Sequence, residues 1–157
     1  IMAIAAGENK MDLMKYLLRK HNIPIEDKEI NFYENKENGW TALQWAVVKG
    51  NNDMVRYLVK NGANINAPAE TDMNQTPIIL AINFKKTDAA KLLIELGADV
   101  NTKDDFGISP LNYAFLTKNR TLVKYLVDHG AVLPGVEAEK FMELLQEHFG
   151  VSNMDEL

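Results

Sequence analysis

Apolar and polar positions between Asn38 and Asn66 fall into two helical stretches separated by a break, and the rest of the chain repeats that design. Leu43, Trp45, Ala46 and Val47 are read as the inward side of a short helix that Thr41 is placed to cap. Lys49-Gly50-Asn51-Asn52 interrupts that helix after about two turns. Met54, Val55, Leu58 and Val59 then line one face of a second helix, and Gly62 supplies the left-handed residue that ends it. The trailing Ala63-Asn64-Ile65-Asn66 is too short and too polar to form a core of its own.

A shift of 35 residues carries Thr41, Ala46, Leu58 and Gly62 onto Thr76, Ala81, Leu93 and Gly97, and a further 33 carries them onto Ser109, Ala114, Leu126 and Gly130. Such a period marks an array in which each unit buries its apolar face against its neighbours. Thr76-Pro77 and Ser109-Pro110 place a hydroxyl at the helix cap and a proline at the first helical position, where its missing N–H costs nothing. Ala46, Ala81 and Ala114 stand where a larger side chain would hold adjacent helices apart. Lys85 and Lys118 occupy the place of Gly50; if that position is left-handed, each costs on the order of 1 kcal/mol relative to glycine.

These residues resemble the ankyrin repeat family, through Thr76-Pro77, Ser109-Pro110, Gly62-Ala63-Asn64-Ile65-Asn66, Gly97-Ala98-Asp99-Val100-Asn101 and the apolar run Lys91-Leu92-Leu93-Ile94. The resemblance implies an all-α ankyrin-repeat solenoid of stacked helix-turn-helix units with hairpin loops, three full repeats plus degenerate caps. The expected division is a partial or capping repeat at 1–26, an inserted loop at 27–35, repeats at 36–68, 69–103 and 104–134, and a capping helix with tail at 135–157. It also implies a non-catalytic module that binds a partner protein on the concave face. Carried over position by position, that face takes Trp40, Gln75 and Ile108 before the caps. Glu37, Asn38, Asp72, Met73, Asp105 and Phe106 come from the hairpin tips, and Val48, Lys49, Asn83, Phe84, Leu116 and Thr117 from the ends of the first helices.

At the ends the pattern loosens. Ala5-Ala6 fills the small-residue position, Asn9 the interhelix turn, and Leu13, Met14, Leu17 and Leu18 the second stripe, while Asn22 stands in for the helix-ending glycine. The insertion Asp27 to Asn35 contains Ile30, Phe32 and Tyr33, and is expected either to pack as an extended hairpin or to be a contact surface. Beyond Leu133-Pro134-Gly135, Ala138 to Phe149 reads as a last helix with Phe141, Leu144, Leu145, His148 and Phe149 on one face, and Asn153 to Leu157 as a frayed tail. Trp45 and the register of Tyr16, Tyr57 and Tyr125 are assigned to packing. Trp40 and Phe106 are expected to make partner contacts, the alternative being that they staple neighbouring hairpins.

Composition narrows the chemistry. The 157 residues carry a net charge of −5 and no cysteine, which excludes a disulfide framework, a thiolate nucleophile and a cysteine-based zinc site, and argues against nucleic acid as a partner. No apolar run approaches the roughly 18 to 20 residues of a membrane span, and Ile1 to Ala6 is too short for a signal peptide. His21, His129 and His148 lie far apart in the register, so no metal site is expected, and His129 suits a helix C-terminus. No phosphate-binding loop or catalytic motif is present, and Glu70, Asp72, Asp104 and Asp105 read as solvated tips with no apolar pocket to perturb them. The reading is a protein–protein interaction module without cofactor. Its expected partner is a protein or peptide of mixed apolar and basic surface, with no membrane insertion and a monomeric state. The alternatives are a targeting or substrate-recruiting segment of a larger enzyme or secreted effector, and an inhibitory subunit covering an active site. The expected compartment is the cytoplasm, with export into a host cell as the alternative. Beginning at isoleucine suggests a segment of a longer chain.

Overall fold

The computed structural model describes residues 1–20, 23–26, 29–31, 36–70 and 73–157, with the backbone alone at 29–31 and 36–38. Helices come in pairs: α1 Met2–Gly7 and α2 Met11–Lys20, α3 Ala42–Lys49 and α4 Asn52–Lys60, α5 Pro77–Asn83 and α6 Thr87–Glu95, α7 Pro110–Leu116 and α8 Arg120–Asp128. A longer helix, α9 Ala138–Phe149, and a single 3-10 turn at Met154–Glu156 complete the chain. The first helices α1, α3, α5 and α7 stack in one row, and α4, α6 and α8 in a second. The architecture is therefore an all-α repeat solenoid, as the repeat spacing predicts.

Local chemistry starts and stops these helices. The Thr41 hydroxyl accepts the Gln44 N–H while the Gln44 side chain accepts the Thr41 N–H at 2.8 Å, a reciprocal capping box, and Ser109 with Asn112 does the same for α7. Thr76 departs from expectation: its hydroxyl makes no capping bond and pairs instead with the Thr102 hydroxyl of the next loop at 3.0 Å. Second helices end in a common motif. The N–H groups of Ala63, Ala98 and Ala131 reach back five residues to the carbonyls of Leu58, Leu93 and Leu126, across left-handed Gly62, Gly97 and Gly130.

Ala46, Ala81 and Ala114 are fully buried in the first row, and Met54, Val55, Leu58, Leu93, Leu122, Val123 and Leu126 wall the space behind it. Asparagines tie the loops together along the array. Asn66 Oδ1 accepts the Asp99 N–H, and Asn101 Oδ1 the Val132 N–H, each at 3.0 Å.

At the ends, β1 Glu29–Asn31 pairs antiparallel with β2 Lys36–Trp40, so the inserted segment feeds a short hairpin. His21, Asn22, Asp27, Phe32, Tyr33, Asn35 and Asp72 lie outside the described residues, as do the side chains of Ile30, Glu37 and Asn38. Helix α9 covers α7: the Phe115 ring is met by Phe141 at 5.9 Å and by His148 and Phe149 at 5.5 Å, and Leu145 is fully buried.

Two expectations need correction. Tyr16 is 48% exposed, whereas the equivalent Tyr125 is covered by Lys91 and Glu95 of α6. Trp45 packs on the core as expected, though only partly buried, its ring turned toward Trp40. The C-terminal tail is not frayed: Asn153 caps the final turn, Lys124 Nζ donates to the Met154 carbonyl at 2.9 Å, and Met154 and Leu157 pack on the core.

Candidate interaction surface

Register positions Trp45, Leu80 and Tyr113, equivalent in the three repeats, form the floor of a surface on the side of the first helices and hairpins. Around Leu80, a small apolar cluster separate from the main core gathers Val48 and Ala69, with Trp40 packed on it. The Trp40 ring meets Trp45 edge-on at 5.0 Å and Phe84 at 5.9 Å, and Lys49 Nζ lies 5.9 Å from the Trp45 ring. Phe84 stands 46% exposed against this support.

A polar chain continues from there. Asn83 Nδ2 donates to Gln75 Oε1 at 3.2 Å, Gln75 Nε2 to the Tyr113 hydroxyl at 2.8 Å, and that hydroxyl to Asp104 Oδ2 at 2.7 Å. The other oxygen of Asp104 accepts the Phe106 and Ile108 N–H groups at 3.0 and 2.9 Å, so this carboxylate organises its hairpin tip. Asp104 is thus buried, which corrects its expected place among the solvated tips. Burial, and then the hydrogen-bonded and negatively charged Asp104 carboxylate, push the Tyr113 phenol up to about 12, partly offset by the Gln75 donor.

On this base the tip of the last hairpin presents Phe106, 69% exposed, and α7 presents Leu116, also 69% exposed. Neighbouring tips are bound to each other: the Asp105 N–H donates to the Met73 carbonyl at 3.0 Å, and the Asp105 carboxylate accepts Asn74 Nδ2 at 3.0 and 3.1 Å. Ile108 and Leu116 also line an open pocket of about 370 Å³ completed by Phe115, Leu133, Leu144 and His148. This pocket lies between α7 and α9 and is lined by none of the tip carboxylates.

Of the residues assigned to this surface, Val48 and Phe84 come together on Trp40, and Lys49 joins them through Trp45. Gln75, Asn83, Phe106 and Ile108 come together through Asp104 and Tyr113, while Met73 and Asp105 are joined by the bond between their own backbones. Val48 and Gln75 are buried beneath the surface, and Thr117 turns its hydroxyl back to the Tyr113 carbonyl at 2.8 Å. Sequence reasoning missed Tyr113, Asp104 and the pocket-lining Leu133, Leu144 and His148. The available signal for Asp104 was its place three residues before Gly107, a turn-forming spacing.

Among the described residues no cluster of three or more His, Asp or Glu is placed to hold a metal ion, and no helix is long and apolar enough to cross a membrane. The His129 and His148 ring nitrogens each lie within hydrogen-bond reach of a carbonyl of their own helix, Tyr125 O at 2.7 Å and Leu144 O at 3.0 Å.

Comparison with known proteins agrees with this architecture. The family pattern described as "Ankyrin repeats (3 copies)" matches residues 1–69 and again 66–135. A putative ankyrin repeat protein of Acanthamoeba polyphaga mimivirus is 35% identical over 118 residues, covering 74% of this chain and 15% of its own length. A putative ankyrin repeat protein of Rickettsia felis is 30% identical over 129 residues, covering 82% of the chain and 29% of its own. The potassium channel GORK of Arabidopsis thaliana is 35% identical over 101 residues, 64% of the chain and 12% of the channel. The chain thus spans less than a third of the length of each of these relatives. From the stacked helix pairs, the helix-ending glycines and these matches, the chain belongs to the ankyrin repeat family, whose repeats are generally non-catalytic modules for protein–protein interaction.

Proposed function

We propose that the chain is a non-catalytic protein-binding module that holds a partner segment on the surface running from Trp40 and Phe84 to Phe106 and Leu116. The observation that carries this is the exposure of Phe84, Phe106 and Leu116 at 46, 69 and 69% on a base braced by buried hydrogen bonds. Exposed apolar side chains on a rigid, partly polar floor are the make-up of a binding hot spot, since little ordering entropy is lost on contact. Ile108, Met73, Asn83, Lys49 and Thr117 surround these anchors, while Val48 and Gln75 support them from below. Asp105 at the tip favours a cation on the partner, so the fitting ligand is a protein or peptide with apolar and basic side chains, bound by a monomer of this chain.

A photoreactive phenylalanine analogue at position 106 or 116 tests the reading. It should crosslink to the partner, while the same group in place of Arg56, exposed on α4, should not; equal yields from both sides would refute it. A second reading, that these repeats recruit a partner for machinery elsewhere in a longer protein, is favoured by the small share of its relatives' lengths that the chain spans.

A further inference from the structure

The turns between paired helices form an edge of their own. In each pair the chain turns through a left-handed residue, Asn9, Gly50, Lys85 or Lys118, with φ of 55, 77, 56 and 52°. Successive turns abut. Asn51 Nδ2 donates to the Ala6 and Gly7 carbonyls at 2.7 and 2.9 Å, Asn119 Nδ2 donates to the Thr87 hydroxyl at 2.9 Å, and the Lys86 side chain lies across Gly50. Along the three turns between α3 and α8 run Lys49, Lys85, Lys86, Lys118 and Arg120, interrupted by the exposed carboxylates of Asp53 and Asp88, whereas the α1–α2 turn carries Lys10 paired to Glu8, with Asp12 beside them. Over those three turns, five cations against two carboxylates make a positive ridge on a chain whose net charge is −5.

Two observations single the ridge out. Among the described residues, none of Lys85, Lys86, Lys118 and Arg120 makes an ion pair, and Lys49 meets the Trp45 ring alone. Lys85 and Lys118 also sit in a backbone conformation that glycine would take without strain, as Gly50 does in the equivalent turn. Side chains kept at strained backbone without a structural partner point to a role outside the fold.

The geometry points to a docking ridge for an acidic helical segment of a partner protein. Stacked helices lie roughly 8–10 Å apart, so the cations recur at about that interval. Carboxylates seven residues apart on a helix recur about every 10 Å and can face successive turns while straddling Asp53 and Asp88. A nucleic acid duplex, with one charge per roughly 1.7 Å of axis, would set phosphates against those two carboxylates. The ridge adjoins the apolar surface described above but does not depend on it.

The test uses a labelled helical peptide carrying glutamates at seven-residue intervals, a peptide of the same composition with its glutamates in one block, and a short DNA duplex as competitor. Lys85→Gly with Lys118→Gly removes two charges and relieves two strained residues, so weaker binding cannot be blamed on unfolding. The spaced peptide should bind the wild-type chain and lose roughly five-fold or more in affinity on the double variant, with an unchanged or higher melting temperature. Phe106→Ala with Leu116→Ala should leave this binding intact, which separates the ridge from the apolar surface. Equal binding by the glycine variant, equal binding of the blocked peptide, or DNA that binds more tightly than the peptide would overturn the proposal.

Discussion

The Trp40 ring stands edge-on to Trp45 at 5.0 Å, and the indole nitrogens of both are buried with no acceptor among the described residues. A buried, unmade hydrogen bond costs about 1–3 kcal/mol, so this pair is held by packing against the polar preference of its own atoms. Trp40→Phe, which drops the unpaired N–H and keeps a ring against Leu80 and Phe84, should cost about 1 kcal/mol or less. Trp40→Ala should cost about 3 kcal/mol through lost contacts. Urea titrations of the two variants check the order. Both tryptophans of the chain lie in this pair, so fluorescence excited selectively at tryptophan reports on it.

Tyr113 should give the chain an alkaline limit. Its hydroxyl donates to buried Asp104, and its folded value near 12 lies above the ordinary 10, so the stability it contributes is complete below about pH 10 and is lost as pH rises toward 12. Tyr113→Phe should remove that component of the alkaline loss while costing about 1–2 kcal/mol at neutral pH, because Asp104 and Gln75 each lose a partner. Thermal melts of both proteins from pH 8 to pH 11.5, at about half-unit steps, measure the difference.

Lys85→Gly and Lys118→Gly should each stabilise the chain by about 1 kcal/mol, since the left-handed backbone then carries no side-chain penalty. Glycine's greater freedom when unfolded takes back part of that gain. The corresponding change Gly50→Lys, at φ 77°, should destabilise. Chemical denaturation of the three variants is the check, and the two sets of changes should have opposite signs.

Removing residues 136–157 should expose Phe115, now 7% exposed beneath Phe141, His148 and Phe149. With Leu145 and Val151 also gone from the core, the loss should be about 3 kcal/mol or more, with increased binding of an apolar dye.

The array was legible because its cause is local and repeated: an alanine where helices approach, a glycine where a helix ends, a Thr-Pro or Ser-Pro where one begins. What stayed hidden depended on contacts between repeats. Trp45 read as core and Leu80 and Tyr113 drew no reading, yet the three share one register that also meets the hairpins, with Leu80 beneath Trp40 and the Tyr113 hydroxyl bonded to Gln75 and Asp104. Asp104 was recognisable as a tip residue, but nothing in its neighbourhood announces a phenol arriving from nine residues away. The tail read as frayed because its two anchors, Met154 and Leu157, are too few to make a pattern, although both reach the core.

The most direct test of the central claim is quantitative capture of partners by three forms of the chain: wild type, Phe84→Ala with Phe106→Ala and Leu116→Ala, and a control with Arg56→Ala and Asp128→Ala on the exposed side of the second helices. The account predicts that the triple variant loses what the wild type and the control both retain, with melting temperatures within about 3 °C, as expected for truncating exposed side chains. A triple variant that retains those partners at wild-type levels, with the control losing them, would contradict it.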